Sequence, residues 1–140
     1  MADRKASAIW EGTLKAGNGS MHFADYDGPF TFASRFEEGK GTNPEELLGA
    51  AHAGCYSMAL SGGLTEAGFT PEKIETTAHV ALRNVDGKAT ITHSHLVSKA
   101  KVPGITLEKF LEIAEATKLG CPVSRALSGV EISLEAELVS

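Results

Sequence analysis

The chain has 140 residues, enough for one ordinary domain that buries a core without disulfide or metal staples. Its composition, 42% hydrophobic and 22% charged, excludes a disordered chain. A formal charge of −5 with no Lys/Arg run argues against a nucleic-acid partner.

The first 37 residues read as strands. Ala6, Ala8 and Trp10 alternate with polar positions, Asn18-Gly19 signals a hairpin, and Met21 and Phe23 continue the alternation. Asp27-Gly28-Pro29 reads as a second turn, followed by a strand through Phe30 and Phe32 to about Phe36, with Arg35 on the face opposite the phenylalanines.

A polar loop from Glu37 to Thr42 then leads into a long helix. Asn43 suits its cap, Pro44 its first position, and Glu46 stands three residues after the cap. The helix is rich in Ala and Gly, carries almost no charge after Glu46, and ends by Gly62-Gly63 or Gly68, which predicts burial on most sides and room for another backbone to approach. The stretch Leu47 to Leu60 is too short and too often interrupted for a membrane span. The start, Met1 to Lys5, lacks the apolar segment of a secretory signal, so the expected location is the cytoplasm.

Ile74 to Val102 reads as a hairpin turning at Asp86-Gly87, with Thr90, Thr92, Ser94 and Leu96 on one face and Ile91, His93, His95 and Val97 on the other. Thr106 caps a helix whose apolar side holds Leu107, Phe110, Leu111, Ile113 and Ala114, and Gly120 ends it. Cys121-Pro122 opens a short helix through Leu127, and Ile132, Leu134, Ala136 and Leu138 alternate along a half-buried last strand. The order predicts a single α+β domain over 1–140 with a mostly antiparallel sheet.

Cys55 and Cys121 are the only cysteines, and a reducing compartment does not favour a permanent bond between them. Cys55 lies about three turns into the long helix, beyond the reach of the helix dipole, so burial alone would leave it inert; a reactive Cys55 needs a nearby cation. Cys121 falls at a helix cap, where the free amides of Val123 and Ser124 can face its sulfur, so electrostatics alone would choose Cys121 as the better thiolate.

Among the cations, Arg125 reads as a helix-surface charge, Arg83 as a solvent-facing turn residue, and Arg35 as a partner for Glu45 at the start of the long helix. That pair is either a plain structural salt bridge or part of a site. Glu45 and Cys55 lie roughly 15 Å apart along one unbroken helix, so a site using both draws Glu45 from a second copy of the chain or breaks the helix. His52, one turn before Cys55, could pair with it as a nucleophile's base, or fall there by chance. His93 and His95, with His79, do not make a visible three-ligand zinc pattern. No phosphate loop or dinucleotide fingerprint is present.

Several segments together resemble one family: Arg35-Phe36-Glu37, Gly41-Thr42-Asn43-Pro44-Glu45-Glu46-Leu47, Ala51 to Leu60 around Cys55, Val102-Pro103-Gly104, and Gly120-Cys121-Pro122-Val123-Ser124. The chain resembles the OsmC/Ohr proteins, osmotically inducible and organic hydroperoxide resistance proteins, and the OsmC branch most. The match covers essentially the whole chain and departs at no functional position.

The resemblance implies antiparallel sheets packed around a long central helix, an intertwined homodimer, and a thiol-dependent peroxidase. It implies Cys55 as the peroxidatic cysteine, Cys121 as the resolving cysteine that bonds to it, Arg35 as the arginine stabilising the thiolate, and Glu45 as the carboxylate holding that arginine. The implied partners are an organic hydroperoxide and a dithiol reductant, often a lipoylated protein; no metal, haem or flavin is implied. Two other classes compete: a ligand-binding dimer with a structural disulfide, set apart by peroxide consumption with dithiol, and a Cys55–His52 hydrolase, set apart by acyl-transfer assays.

Overall fold

The computed structural model describes residues 3–140. Met1 and Ala2, part of the start read above as no secretory signal, lie outside the described residues. The chain forms two compact units, one reaching to Leu47 and one from Leu48 to Ser140.

The first unit is an antiparallel meander of β1 (Ser7–Glu11), β2 (Asn18–Phe23) and β3 (Tyr26–Phe30), followed by helix α1 (Phe32–Phe36) and the first turn of α2 (Pro44–Glu66). Both predicted turns move. Asn18 and Gly19 lie inside β2, paired with Glu11 and Trp10, and the chain reverses instead between Gly12 and Gly17. Thr13 organises that reversal, its carbonyl accepting from the Gly17 amide at 2.8 Å and its hydroxyl from the Ala16 amide at 3.2 Å. Gly19 serves packing: a Cβ there would lie 2.6 Å from the Trp10 ring and 2.8 Å from the Phe30 ring. Those rings pair at 5.3 Å across it.

The second reversal is at Ala24-Asp25, with Ala24 at φ +47°. Asp27, Gly28 and Pro29 are strand residues of β3. Pro29 is tolerated there because β3 is an edge strand with one unpaired side.

The strand expected to run to Phe36 stops at Phe30, and Arg35 stands on a helix rather than a sheet face. Thr31 and Ser34 close a capping box: the Ser34 amide donates to Thr31 Oγ1 at 3.1 Å and the Thr31 amide to Ser34 Oγ at 2.8 Å. Phe32 and Phe36, four apart, pack as tilted rings with centroids 4.9 Å apart on one side of the turn. The alternation of phenylalanines that suggested a strand is a helical pair joined to a strand end.

The second unit holds the rest of α2, the strands β4 (Lys73–Val85), β5 (Lys88–Lys101) and β6 (Glu131–Val139), and the helices α3 (Leu107–Gly120) and α4 (Pro122–Ala126). Strands β4 and β5 are the expected hairpin, with Asp86 and Gly87 at positive φ in the turn. The faces of β5 need one correction. A bulge sets Ala81 opposite His93 but Leu82 opposite Ile91, leaving Thr92 as the extra residue. Past the bulge the alternation flips, so Ile91 rather than Thr90 continues the face of Ser94 and Leu96.

Strand β6 runs parallel to β5, so this sheet is mixed, and α3 with α4 forms the crossover that a parallel pair requires. Along α3, Phe110, Ala114 and Thr117 are buried at helical spacing, whereas Leu107 and Leu111, expected on the apolar side, are exposed. The core gathers Tyr56, Leu60 and Leu64 of α2, Leu96 and Ala100 of β5, and Phe110, Ala114 and Cys121. Gly63 lets α2 approach α3, since a Cβ would sit 3.1 Å from Ile113.

Helix α2 is less enclosed than its composition suggests. Tyr56, Leu60 and Leu64 are fully buried, but Ala50, Ala51, Gly54, Met58 and Gly62 form an exposed stripe, with Met58 at 81%. Among the described residues, no helix is long and apolar enough to cross a membrane.

Candidate active site

In the first unit, Asn43 fixes the start of α2. Its Oδ1 accepts the Glu46 amide at 2.8 Å and its Nδ2 donates to the Ser34 carbonyl at 3.0 Å, tying the cap to α1. Glu45 is thereby set in the first turn and Arg35 near the end of α1. The two side chains meet as a fork: Arg35 Nε donates to Glu45 Oε1 at 3.1 Å and Nη2 to Oε2 at 3.0 Å.

Glu45 is buried, and Arg35 keeps a third of its side chain exposed. The guanidinium lies over the Phe36 ring at 5.4 Å and borders a pocket of about 290 Å³ whose other walls include Trp10, Leu14, Phe30, Phe32 and Phe36. The expected Arg35–Glu45 pair therefore forms, at the edge of an apolar hollow. The other candidate cations behave as surface residues: Arg125 is exposed, and Arg83 donates to the neighbouring Leu82 carbonyl.

In the second unit, Cys55 and Cys121 are free thiols gathered at the start of α4, near enough for each to shift the other's acidity. Cys121 ends α3 and caps α4. Its sulfur accepts the Ser124 amide at 3.4 Å and lies 3.4 Å from the Ser124 hydroxyl. The Val123 amide donates to Cys55 Sγ at 3.5 Å, so the first turn of α4 serves both sulfurs.

Burial pushes the Cys55 thiol up, partly opposed by the Val123 amide, and Cys121 pushes it further. At Cys121 burial is the largest single influence and also pushes up, but the Ser124 hydroxyl and amide, together with Cys55 and Val123, outweigh it and leave this thiol below its ordinary value. Within one chain Cys121 is the more acidic thiol, as its cap position suggests.

His52 does not face Cys55. It is fully buried, with Nδ1 2.7 Å from Ser94 Oγ and Nε2 2.8 Å from Ser124 Oγ. Both ring nitrogens are occupied by serines, which removes the Cys55–His52 nucleophile pair. Sequence reasoning placed the Ser124 amide at Cys121 but missed the hydroxyls of Ser94 and Ser124. Ser124 could have been found from its place three residues after Cys121, where a cap side chain meets the helix, but its contact with His52 spans 72 residues and has no local signal.

On the other side of the sheet, His95 is held by Ser133 and by Glu135, and His93 by its neighbour Thr92. Among the described residues, no three His, Cys, Asp or Glu side chains gather as metal ligands.

The description "OsmC-like protein" belongs to the family model that matches residues 37–135, which span α2, both thiols and most of β6. The chain belongs to the OsmC-like family. It is 49% identical to "Peroxiredoxin OsmC" of Escherichia coli (strain K12) over 140 residues, covering 98% of this chain and 97% of that one. It is also similar to the crystal structure of the organic hydroperoxide resistance protein OhrB of Bacillus subtilis, with a TM-score of 0.71 and 26% identity over 96% of this chain and 98% of that one. An organic hydroperoxide resistance protein from Elizabethkingia anophelis shares the fold, with a TM-score of 0.74 and 21% identity over 99% of each chain. The OsmC-like family model thus begins just after Arg35, and the relatives aligned over nearly the whole length extend the likeness across the first unit.

Proposed function

We propose that the protein is a thiol-dependent peroxidase that reduces organic hydroperoxides, with Cys55 as the attacking thiol and Cys121 as the thiol that resolves it. The observation that carries this reading is the meeting of two free thiols, 66 positions apart in sequence, in a chain 49% identical to a peroxiredoxin over nearly its whole length. A structural disulfide would need neither free thiols nor a nearby low-pKa partner.

The chemistry balances in three steps. The Cys55 thiolate attacks the outer peroxide oxygen, the O–O bond breaks, and an alkoxide leaves to be protonated as the alcohol. Cys55 is then a sulfenic acid. The Cys121 thiolate attacks it, a disulfide forms, and the hydroxyl leaves as water, taking from solvent the proton that the Cys121 thiol had released on ionising. An external dithiol reduces that disulfide by exchange and is itself oxidised; the reductant class we favour is a lipoylated protein, and such a cycle suits the reducing cytoplasm.

Cys55 is the less acidic thiol within its own chain, so this assignment needs a cation that the second unit does not supply. We assign that role to Arg35 of the partner subunit in an intertwined homodimer, aimed by Glu45 of the same partner. Two features support it. Helix α2 runs unbroken from Pro44 to Glu66, which keeps Glu45 roughly 15 Å along the axis from Cys55 of its own chain. The exposed stripe of Ala, Gly and Met58 on α2 offers a close approach for a second copy of that helix. The apolar pocket beside Arg35 favours an alkyl or aryl hydroperoxide over hydrogen peroxide.

The direct test compares cumene hydroperoxide with hydrogen peroxide, each supplied with dithiothreitol or dihydrolipoamide. The expected result is dithiol-dependent turnover of both, faster with the organic peroxide. Absence of peroxide consumption with either dithiol would return the protein to the ligand-binding reading.

A further inference from the structure

His52 is a fully buried titratable group that the proposed peroxide chemistry does not use. It joins a chain of four side chains, Ser94–His52–Ser124–Cys121, with separations of 2.7, 2.8 and 3.4 Å. None of the four is more than 5% exposed. Burial holds the His52 ring below its ordinary value, so it is neutral and carries one N–H.

Counting protons along the chain separates the two tautomers. Suppose the N–H is on Nδ1. It donates to Ser94 Oγ, Nε2 takes the Ser124 hydroxyl proton, and Cys121 must donate its own proton to Ser124. The Ser94 hydroxyl proton is then buried with no acceptor, since Ser94 Oγ has no hydrogen-bond partner but His52 among the described residues.

With the N–H on Nε2 and Cys121 as a thiolate, which can no longer donate to Ser124 Oγ, every proton has an acceptor. Ser94 donates to Nδ1, Nε2–H donates to Ser124 Oγ, and the single hydroxyl proton of Ser124 is left for Cys121 Sγ. The Ser124 amide already points to the same sulfur. Cys121 then receives two hydrogen bonds, both of which strengthen on its negative form.

We propose that His52 is a positioning residue for Cys121: held by Ser94 as the Nε2–H tautomer, it turns the Ser124 hydroxyl proton toward the sulfur and so readies Cys121 as a thiolate. The consequence for the cycle rests on the reading of Cys121 as the resolving thiol. A thiolate there attacks the sulfenic acid without first losing a proton, and leaves readily when the dithiol reductant opens the disulfide.

The experiment has two arms, neither of which uses peroxide. The first is nitrogen-15 NMR of the intact reduced protein. The expected spectrum places the His52 proton on Nε2; a proton on Nδ1 overturns the proposal.

The second arm measures alkylation of Cys121 by iodoacetamide against pH in a Cys55→Ser background. The other titratable groups around this sulfur are His52 and Tyr56 on α2, with Glu115 of α3 acting on Tyr56. These stay constant across the series apart from the substituted His52.

Ser124→Ala and His52→Leu are each expected to raise the titration midpoint by about one unit, a tenfold loss of thiolate at neutral pH. His52→Gln is expected to restore it, because its amide N–H can reach Ser124 and its carbonyl can accept from Ser94. A folded His52→Leu protein whose Cys121 titrates unchanged would reduce His52 to a packing role. Should His52→Leu fail to fold, the tautomer and the Ser124→Ala titration still decide. Failure of the peroxidase reading would show in the hydroperoxide assay and leave both arms standing.

Discussion

Glu45 holds Arg35 through two parallel hydrogen bonds, 3.1 and 3.0 Å long, from the second residue of a 23-residue helix. The carboxylate is buried and the guanidinium is partly exposed, so the pair is asymmetric: Glu45 is fixed by the fold and holds a cation that keeps some access to its surroundings. That asymmetry suits an arginine whose charge is used by another group.

Replacing Arg35 by Lys keeps the charge and removes the fork. Turnover of cumene hydroperoxide should fall at least tenfold while the urea midpoint moves little. Arg35→Ala strands a buried carboxylate and should also cost about 1–3 kcal/mol, read as a lower urea midpoint. Equal activity in Arg35→Lys and the parent protein would assign the pair a purely structural role.

The two thiols should differ in their oxidation products. One equivalent of peroxide is expected to leave Cys55→Ser without peroxide reduction. Cys121→Ser should complete a single turnover to the Cys55 sulfenic acid and, when a second equivalent is added, progress to sulfinic acid on Cys55. Intact-protein mass spectrometry reads both, and a stable sulfenic or sulfinic acid on Cys121 of the intact protein would exchange the two roles.

If Arg35 crosses to a partner subunit, two dead proteins should make a live one. Cys55→Ser and Arg35→Ala chains unfolded and refolded together should give heterodimers with one complete site of two. Heterodimers that form, as judged by mass, and yet stay inactive would put Arg35 in its own chain's site.

Phe36 contributes an exposed ring to the pocket beside Arg35. Trimming it to Ala should lower kcat/KM for cumene hydroperoxide about tenfold, the loss of one aromatic contact, and leave hydrogen peroxide nearly unaffected. A parallel loss for both peroxides would mean that the ring supports Arg35 rather than the substrate.

Buried His52 also predicts a direction for stability against pH. Its ring is held below the ordinary value of 6.5 by desolvation, so near and below that pH the unfolded chain binds a proton that the folded chain refuses. This contribution is fully present above pH 6.5 and is lost as pH falls from there toward the folded-state value. The wild-type melting temperature should therefore drop more steeply on acidification than that of His52→Gln, and superimposable slopes would count against a neutral buried ring.

Much of this was legible in the sequence, for local reasons. The Asn43-Pro44 start of α2, the Asp86-Gly87 turn and the Cys121-Pro122 cap each carry their geometry within four residues, and all three stand in the structure. The errors fell where two local signals competed. Asn18-Gly19 has the composition of a turn, but Gly19 is needed as a gap between Trp10 and Phe30, and only the folded sheet brings those rings together. Phe30, Phe32 and Phe36 fit a strand as well as a strand end plus a helix, and the Thr31–Ser34 capping box decided it. At the site, the cysteines and the Arg35–Glu45 pair were visible as residues; the Ser94–His52–Ser124 chain was not, because it joins β5, α2 and α4 through long-range contacts.

The parallel pairing of β5 with β6 bears on how the thiol pair comes into being. No hairpin can join parallel strands, so β6 reaches its place beside β5 only through the α3–α4 crossover, a non-local pairing of the kind that forms slowly. Cys121 rides on that crossover, at the joint between its two helices. During synthesis Cys55 emerges first and has no template for a bond to Cys121. The amides of α4 that serve both sulfurs emerge nearly seventy residues after Cys55. Until α4 is made, the nascent chain therefore lacks the amides that serve both sulfurs.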